Sequence, residues 1–238
     1  MRKAFELGGV IAAAVLIAFG IAAIVMGFNG KSTVNSSLKN EQIMGTPDMT
    51  PAAIVPEVKA AQAQQNKLFA QYKANGMNVT ASPIQAPDCS VAGKAIDNGT
   101  EARCFARYMR IHTFGATSGL TYSQMGRYIA APGTPFKLTD GLGATNDPTK
   151  AQIDPKTQQP VANGRRDIWV TYTALTTALN TSYFATQMAL FGVVIGVALL
   201  LAGIGFGILA LGGALESPRT ALAGFRRKSV EPTAPAKA

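Results

Sequence analysis

The sequence predicts a mainly α-helical membrane protein, with two transmembrane helices that flank an exported, mostly helical domain containing a long irregular loop. Residues 8–28 and 188–215 carry no charged side chain over 21 and 28 residues. At about 1.5 Å of rise per residue, each run is long enough to cross the roughly 30 Å hydrocarbon core of a bilayer. The residues between them, 29–187, are expected to form the exported domain.

Basic residues flank both apolar runs. The N-terminal segment 1–7 contains Arg2 and Lys3, and the C-terminal tail 216–238 contains Arg219, Arg226, Arg227 and Lys228. Short flanks rich in Lys and Arg remain in the cytoplasm. We therefore expect both termini to be cytoplasmic, the protein to lie in the plasma membrane, and the central domain to be extracytoplasmic.

A cleavable signal peptide is the alternative explanation of residues 8–28. This run is longer than the usual 7 to 15 apolar residues of a signal peptide. No A-x-A cleavage site follows it between Met26 and Lys31. We expect the first run to be retained as an anchor.

The charge of the central domain is modest. Residues 29–185 contain 15 Lys and Arg against 10 Asp and Glu, so they carry about +5 of the formal net charge of +9. This diffuse excess argues against a nucleic-acid partner. The expected partners are the lipid bilayer and either another envelope protein or an anionic surface polymer.

Two cysteines, Cys89 and Cys104, lie 15 residues apart in the central domain. In an oxidising compartment such a pair is most simply a disulfide. Free thiols are the alternative. A metal site is disfavoured because His112 is the only histidine and the chain has no C-x-x-C motif. We expect neither a metal nor a cofactor.

Capping signals place the first two helices of the central domain. Thr50 and Pro51 have the pattern of an N-cap followed by the first helical residue, residues 57–74 form the secure part of the helix, and Gly76 ends it. The second helix is expected from Glu101 to about Phe114, with Thr100 as its cap and with His112 near its end.

A basic stripe follows one face of the second helix. It consists of Arg103, Arg107 and Arg110, spaced three and four residues apart. Such a stripe is either a dock for an anionic partner or, more commonly, a solvated helix face.

A short helix and a long loop follow. Thr121 and Gln124 match a capping box. Residues 131–164 are rich in Pro, Gly, Asp and Asn, which predicts irregular structure. Three aspartates recur every seven residues there, Asp140, Asp147 and Asp154. Calcium is disfavoured for them because no D-x-D-x-D-G loop is present.

The last helix is expected to run from Arg165 into the second apolar run without a break, with Ile168, Tyr172, Leu175 and Leu179 facing the rest of the domain. Small residues form one face of each apolar run. They are Gly192, Gly196, Gly203 and Gly207 in the second, and Ala13, Gly20 and Gly27 in the first. Such faces let helices approach closely in lipid. We favour packing of the two faces within one chain, and a homo-oligomer formed through the second run is the alternative.

Two segments carry a resemblance to a known family. HTFGATSGLTYSQMGRY at 112–128, together with RRDIWVTYTALTTALNTSYFATQMALFGVVIGVALLLAGIGF at 165–206, resembles a family of two-span membrane proteins common in actinobacteria. The resemblance implies an N-terminal anchor, an exported helical region and a C-terminal span. Asn180, Ser182 and Tyr183 occupy the family's N-x-S-Y stretch. No function is established for the family.

Some relatives in that family are labelled aromatic-ring-opening dioxygenases. Such enzymes need an iron held by two histidines and a carboxylate, or an equivalent set. One chain with a single histidine cannot supply two. We interpret the label as an inherited error.

Motifs for other enzyme classes are absent from the sequence, which contains no G-x-S-x-G and no H-E-x-x-H. We therefore expect no enzyme. The favoured hypothesis is a membrane-anchored envelope protein whose exported domain binds, scaffolds or modulates another molecule. The alternative is an oligomeric two-span regulator of envelope polymer export.

Overall fold

The structure is a computed structural model that describes residues 2–212, with side chains from Glu6 onward. Its four α-helices are α1 (Arg2–Asn40), α2 (Val55–Ala74), α3 (Gly99–Ala116) and α4 (Gly164–Leu211). The chain divides into two compact units. Among the described residues, one unit comprises 2–31 and 187–212, and the other is Ser32–Thr186. The basic tail 216–238 and the end of the predicted run 188–215 lie outside the described residues.

Two of the helices, α1 and α4, are long and apolar enough to span a membrane. Their apolar side chains are largely exposed, since only 11% of the most apolar window of α1 and 17% of that of α4 are buried. The core helix of a water-soluble domain would bury such residues. The two helices thus have the length and the exposed apolar surface of bilayer-spanning segments.

Helix α1 is longer than the sequence predicted. Residues 29–40 are rich in Ser and Asn, a composition that predicts a polar connector, but the helix continues through them to Asn40. No proline occurs in this stretch, so nothing removes a backbone hydrogen bond from the helix.

Helix α2 begins later than the capping signal predicted. Residues 51–54 form a turn and the helix starts at Val55, so Pro51 is not its first residue. Thr50 caps the turn instead, since its Oγ1 accepts a hydrogen bond of 3.1 Å from the Ala53 N–H. The helix ends at Ala74, and Gly76 follows at a φ of +70°, where glycine has no steric cost.

Helix α3 is capped by Asn98, not by Thr100. The Asn98 side chain accepts a hydrogen bond of 3.0 Å from the Glu101 N–H, and the helix therefore begins at Gly99. Asparagine and threonine are both good N-caps, so the sequence alone misplaced this boundary by two residues.

The buried core of Ser32–Thr186 combines α2, α3, the start of α4 and the loops between them. It includes Ile54, Val58, Leu68, Tyr108, Ile111, Phe114, Leu120, Met125 and Trp169. Helix α4 is continuous, as predicted, and most of its predicted core face is confirmed, since Leu179 is buried and Tyr172 and Leu175 pack against the core. Ile168 is instead 39% exposed, and Trp169 beside it is buried.

The segment between α3 and α4 holds short regular elements in its irregular course. The capping box predicted at Thr121 is present, and it opens a 3₁₀-helix, Tyr122–Gln124. Strands β1 (Tyr128–Ile129) and β2 (Ala144–Thr145) pair antiparallel, with Tyr128 opposite Thr145. Two more 3₁₀-helices are Phe136–Leu138 and Pro148–Lys150.

Candidate functional site

Three ionisable side chains from separate parts of the chain meet in Ser32–Thr186. Asp48 lies in the turn before α2, Glu57 in the first turn of α2, and His112 near the end of α3. One donor atom from each lies within 4.8 Å of the others, and all three residues are half-buried. The fold has therefore gathered residues up to 64 positions apart into one polar cluster.

Each ring nitrogen of His112 faces a carboxylate. Nδ1 lies 3.0 Å from both carboxylate oxygens of Glu57, which is hydrogen-bond distance. Nε2 lies 3.4 Å from Oδ2 of Asp48, which is longer than a normal N–H···O hydrogen bond. The Thr46 hydroxyl donates to Oδ1 of Asp48 and thereby helps to fix that carboxylate.

The cluster carries more negative than positive charge. Within residues 6–212, neither Asp48 nor Glu57 forms an ion pair with a Lys or Arg side chain, and His112 is the basic residue that lies at ion-pair distance from both. The side chains are accessible, with 42% of Asp48, 34% of Glu57 and 27% of His112 exposed. A cation in solution can thus reach the carboxylates.

A glycine leaves room for the Glu57 carboxylate. A β-carbon on Gly115 would lie 3.0 Å from Glu57 Oε1, which is closer than most real contacts of this kind. Since Gly115 lies in α3 close to His112, the absence of a side chain there lets Glu57 approach the histidine.

The arginine stripe predicted on α3 is engaged within the protein. Arg107 pairs with Asp88, and its hydrogen bond holds the pKa of the Asp88 carboxyl below its usual range. The guanidinium of Arg103 lies 4.5 Å from the ring centroid of Tyr183. That of Arg110 lies 5.0 Å from the centroid of Phe114, as in a cation–π contact.

Cys89 and Cys104 form a disulfide, as the sequence predicted, with Cα atoms 6.1 Å apart. It ties the loop before α3 to the first half of that helix. The Tyr108 hydroxyl donates to the backbone carbonyl of Cys89, so a second link follows the disulfide one turn further along α3.

An open cleft of about 420 Å³ lies beside β2, lined by residues that include Tyr72, Lys137, Asp140 and Asp147. Its buried carboxylate is already used. Asp140 accepts hydrogen bonds from the N–H groups of Gly126 (3.1 Å) and Ala144 (2.9 Å). This carboxylate therefore stabilises the loop and is not free to act on a ligand.

The regularly spaced aspartates serve local turns. Hydrogen bonds from Thr149 hold the pKa of Asp147 below its usual range, and backbone N–H groups of Thr157 and Lys156 lower that of Asp154. No metal-sized cluster includes them in residues 6–212. Their spacing thus reflects turn chemistry.

The small-residue faces of the two apolar helices lie against each other within one chain. A β-carbon on Gly27 would lie 2.6 Å from the Ala189 carbonyl oxygen, and one on Gly203 would lie 3.0 Å from that of Ala13. β-carbons on Gly20 and on Gly196 would be similarly close to the backbone of the facing helix. β-carbons on Gly192 and Gly207 would make looser contacts with the first helix, at 3.8 and 3.7 Å.

Sequence reasoning missed two members of the polar cluster. It placed His112 as a partly buried residue near a helix end, and gave Asp48 and Glu57 no role. Asp48 follows a proline in a turn and Glu57 lies in the first turn of a helix, both ordinary positions for acidic residues. No spacing in the sequence relates either residue to His112.

Comparisons with known proteins add no relative. No protein family, no curated protein and no solved structure matches this chain.

Proposed function

We propose that this protein is a membrane-anchored envelope protein whose extracytoplasmic domain, Ser32–Thr186, binds, scaffolds or modulates another molecule. The supporting observation is the combination of two exposed apolar helices with a disulfide in the unit between them. Disulfides persist in oxidising compartments and are rare in the cytosol. A disulfide-bonded unit between two spans therefore favours an outward-facing domain.

The proposed role is binding and not catalysis. The buried carboxylate of the cleft is committed to backbone N–H groups, and the arginines of α3 are paired with Asp88 or stacked on aromatic rings. Beside His112 lie two carboxylates, with no serine or cysteine nucleophile among its hydrogen-bond partners. These features suit a folded recognition domain.

An oligomeric regulator of envelope polymer export is the second candidate. It shares the arrangement of a helical domain between two spans, and it requires several chains. The contact of Gly20 with Gly196 in one chain occupies the face that the second run would use to join chains. We therefore favour the single anchored domain.

Thiol labelling in intact cells tests the orientation. Ser36 lies in the exposed end of α1 and Ser229 in the basic tail outside the described residues. Single cysteines replace these residues, one at a time, in a chain that lacks Cys89 and Cys104. We expect Ser36→Cys to react with a membrane-impermeant maleimide in intact cells, and Ser229→Cys to react only after lysis. The reverse pattern would place the domain in the cytoplasm and refute the proposal.

A further inference from the structure

We propose that Asp48, Glu57 and His112 form a binding site for a divalent transition-metal cation, with Zn²⁺ as the expected ion. This inference goes beyond the anchored-domain proposal and does not depend on which side of the membrane the domain occupies. It replaces the expectation from sequence that the chain has no metal site, which rested on the single histidine and on the absence of C-x-x-C.

Glu57 leaves one ring nitrogen of His112 available to a metal. When the Nδ1–H of His112 donates to Glu57, 3.0 Å away, Nε2 is the nitrogen that can bind a metal ion. In that tautomer Nε2 carries a lone pair, and Oδ2 of Asp48, which also carries lone pairs, lies 3.4 Å from it. Two such acceptors 3.4 Å apart repel each other unless a positive species lies between them.

The distance between His112 Nε2 and Asp48 Oδ2 suits a shared metal ion. In a tetrahedral zinc site with ligand bonds of about 2.0–2.1 Å, neighbouring donor atoms lie roughly 3.3 Å apart. The Nε2 to Oδ2 separation of 3.4 Å has that value, whereas it is long for a hydrogen bond. The spacing therefore fits a shared metal ion better than a shared proton.

The other carboxylate, that of Glu57, lies against the second ring nitrogen of His112. Metal-binding histidines usually donate their second ring N–H to a carboxylate, which fixes the ring and raises the basicity of the binding nitrogen. Glu57 holds this position, and Gly115 leaves space for it. We assign Nε2 of His112 and the carboxylate of Asp48 as metal ligands, and Glu57 as a positioning residue.

The chemical types of the two ligands determine which metal is expected. Imidazole and carboxylate without thiolate suit Zn²⁺ and Cu²⁺, while Mg²⁺ and Ca²⁺ prefer oxygen ligands alone. Cys89 and Cys104 are bonded to each other and supply no thiolate. Two protein ligands leave coordination positions open, and the exposure of Asp48 lets water or a second molecule occupy them.

Zinc titration of the full-length protein in detergent, purified through a tag without histidine, tests the site. We expect one Zn²⁺ per chain, no competition from excess Mg²⁺, and loss of binding in His112→Gln and in Asp48→Asn. Glu57→Gln should weaken binding by about 10- to 100-fold as a positioning residue. Glu41→Gln removes an exposed carboxylate elsewhere and should leave the affinity unchanged. Unchanged affinity in both ligand variants would overturn the proposal.

A measurement on the unmodified protein covers the case in which the variants do not fold. His112 is the only histidine, so an imidazole nitrogen detected at a bound metal is assigned without a mutation. We expect electron paramagnetic resonance of bound Cu²⁺ to show coupling to one imidazole nitrogen, and Zn²⁺ to displace that signal. Failure to bind Cu²⁺, or Cu²⁺ bound without imidazole coupling, would show that a proton and not a metal links His112 to Asp48.

Discussion

Gly20 and Gly196 lie in reciprocal backbone contact. A β-carbon on Gly20 would lie 2.8 Å from the carbonyl oxygen of Gly196, and one on Gly196 would lie 2.7 Å from the carbonyl oxygen of Gly20. Real β-carbons essentially never approach backbone atoms this closely, so only glycine fits on either side. Lipid gives no hydrophobic drive for helices to associate, and close backbone packing of this kind is the main alternative.

The glycine contact predicts the effect of Gly196→Leu. The new side chain would collide with the backbone at Gly20 and separate the two helices, with a cost of about 1–3 kcal/mol or more. We expect the variant to lose helical circular dichroism at a lower SDS concentration than the wild type, while both remain monomeric in mild detergent.

Gly205→Leu is the matched control. A β-carbon on Gly205 meets nothing within 4 Å, although it lies in the same helix. We expect this variant to resist SDS as the wild type does. An oligomeric wild type that Gly196→Leu converts to a monomer would contradict packing within one chain and favour the export-regulator hypothesis.

Removal of the disulfide should destabilise Ser32–Thr186. Cys89 and Cys104 close a loop of 15 residues, which corresponds to about 3 kcal/mol in the chain-entropy model. We expect urea titration of the double variant Cys89→Ser/Cys104→Ser to give a free energy of unfolding lower than that of the wild type by about this amount. Reductant should lower the free energy of unfolding of the wild type only. Recovery of both native cysteines as alkylated thiols without prior reduction would refute the bond.

The apolar helices and the disulfide could be predicted because each depends on local information. An uncharged run of 21 residues has few alternatives, and two cysteines in the segment between two such runs have one partner each. Helix boundaries were less certain. Asn98 and Thr100 are both acceptable caps, and only the completed packing of α3 selects between them.

The polar cluster could not be predicted because it depends on tertiary structure alone. Asp48, Glu57 and His112 share no motif, and their meeting requires α2 and α3 to pack with a defined rotation. The same limit affected α4, where periodicity favoured Ile168 as a core residue. The fold instead buries Trp169, whose neighbours come from α3 and the loop after it.

Substitution of Trp169 by Phe is expected to lower the stability of the domain. Its indole Nε1–H donates to the Leu120 carbonyl at 2.8 Å, and its ring packs edge-on against Phe114 and Tyr172. Trp169→Phe removes that donor from a buried site and leaves a gap. We expect a loss of about 1–3 kcal/mol in the free energy of unfolding, measured by circular dichroism in urea.

A surface neighbour provides the comparison for Trp169. Val170 is 53% exposed, so Val170→Ala should change stability by less than about 0.5 kcal/mol. Equal stability of the two variants would show that the indole hydrogen bond and the aromatic contacts contribute little.

Tyr72 predicts loss of stability at alkaline pH. Its side chain is buried and its hydroxyl donates to the Asp140 carbonyl, and burial, with a smaller effect of the Asp140 carboxylate, raises the pKa of Tyr72 well above its usual range. The unfolded chain loses this proton near pH 10, whereas the folded protein keeps it. The unfolded state therefore binds fewer protons above that pH, and stability falls as pH rises.

Tyr72→Phe tests this pH dependence. The variant should be less stable than the wild type at pH 8, because the Asp140 carbonyl loses its donor. By pH 11 the difference in the free energy of unfolding between the two proteins should be smaller by about 1.4 kcal/mol, which is the effect of one pH unit on one titrating group. Burial also raises the pKa of Tyr108, so the stability of both proteins keeps some dependence on alkaline pH.

Unfolding in urea can be followed through Trp169, the only tryptophan in the chain. Tyr122→Phe, at a site 44% exposed, should leave the wild-type pH profile unchanged, and an equal change in both variants would refute the role of Tyr72.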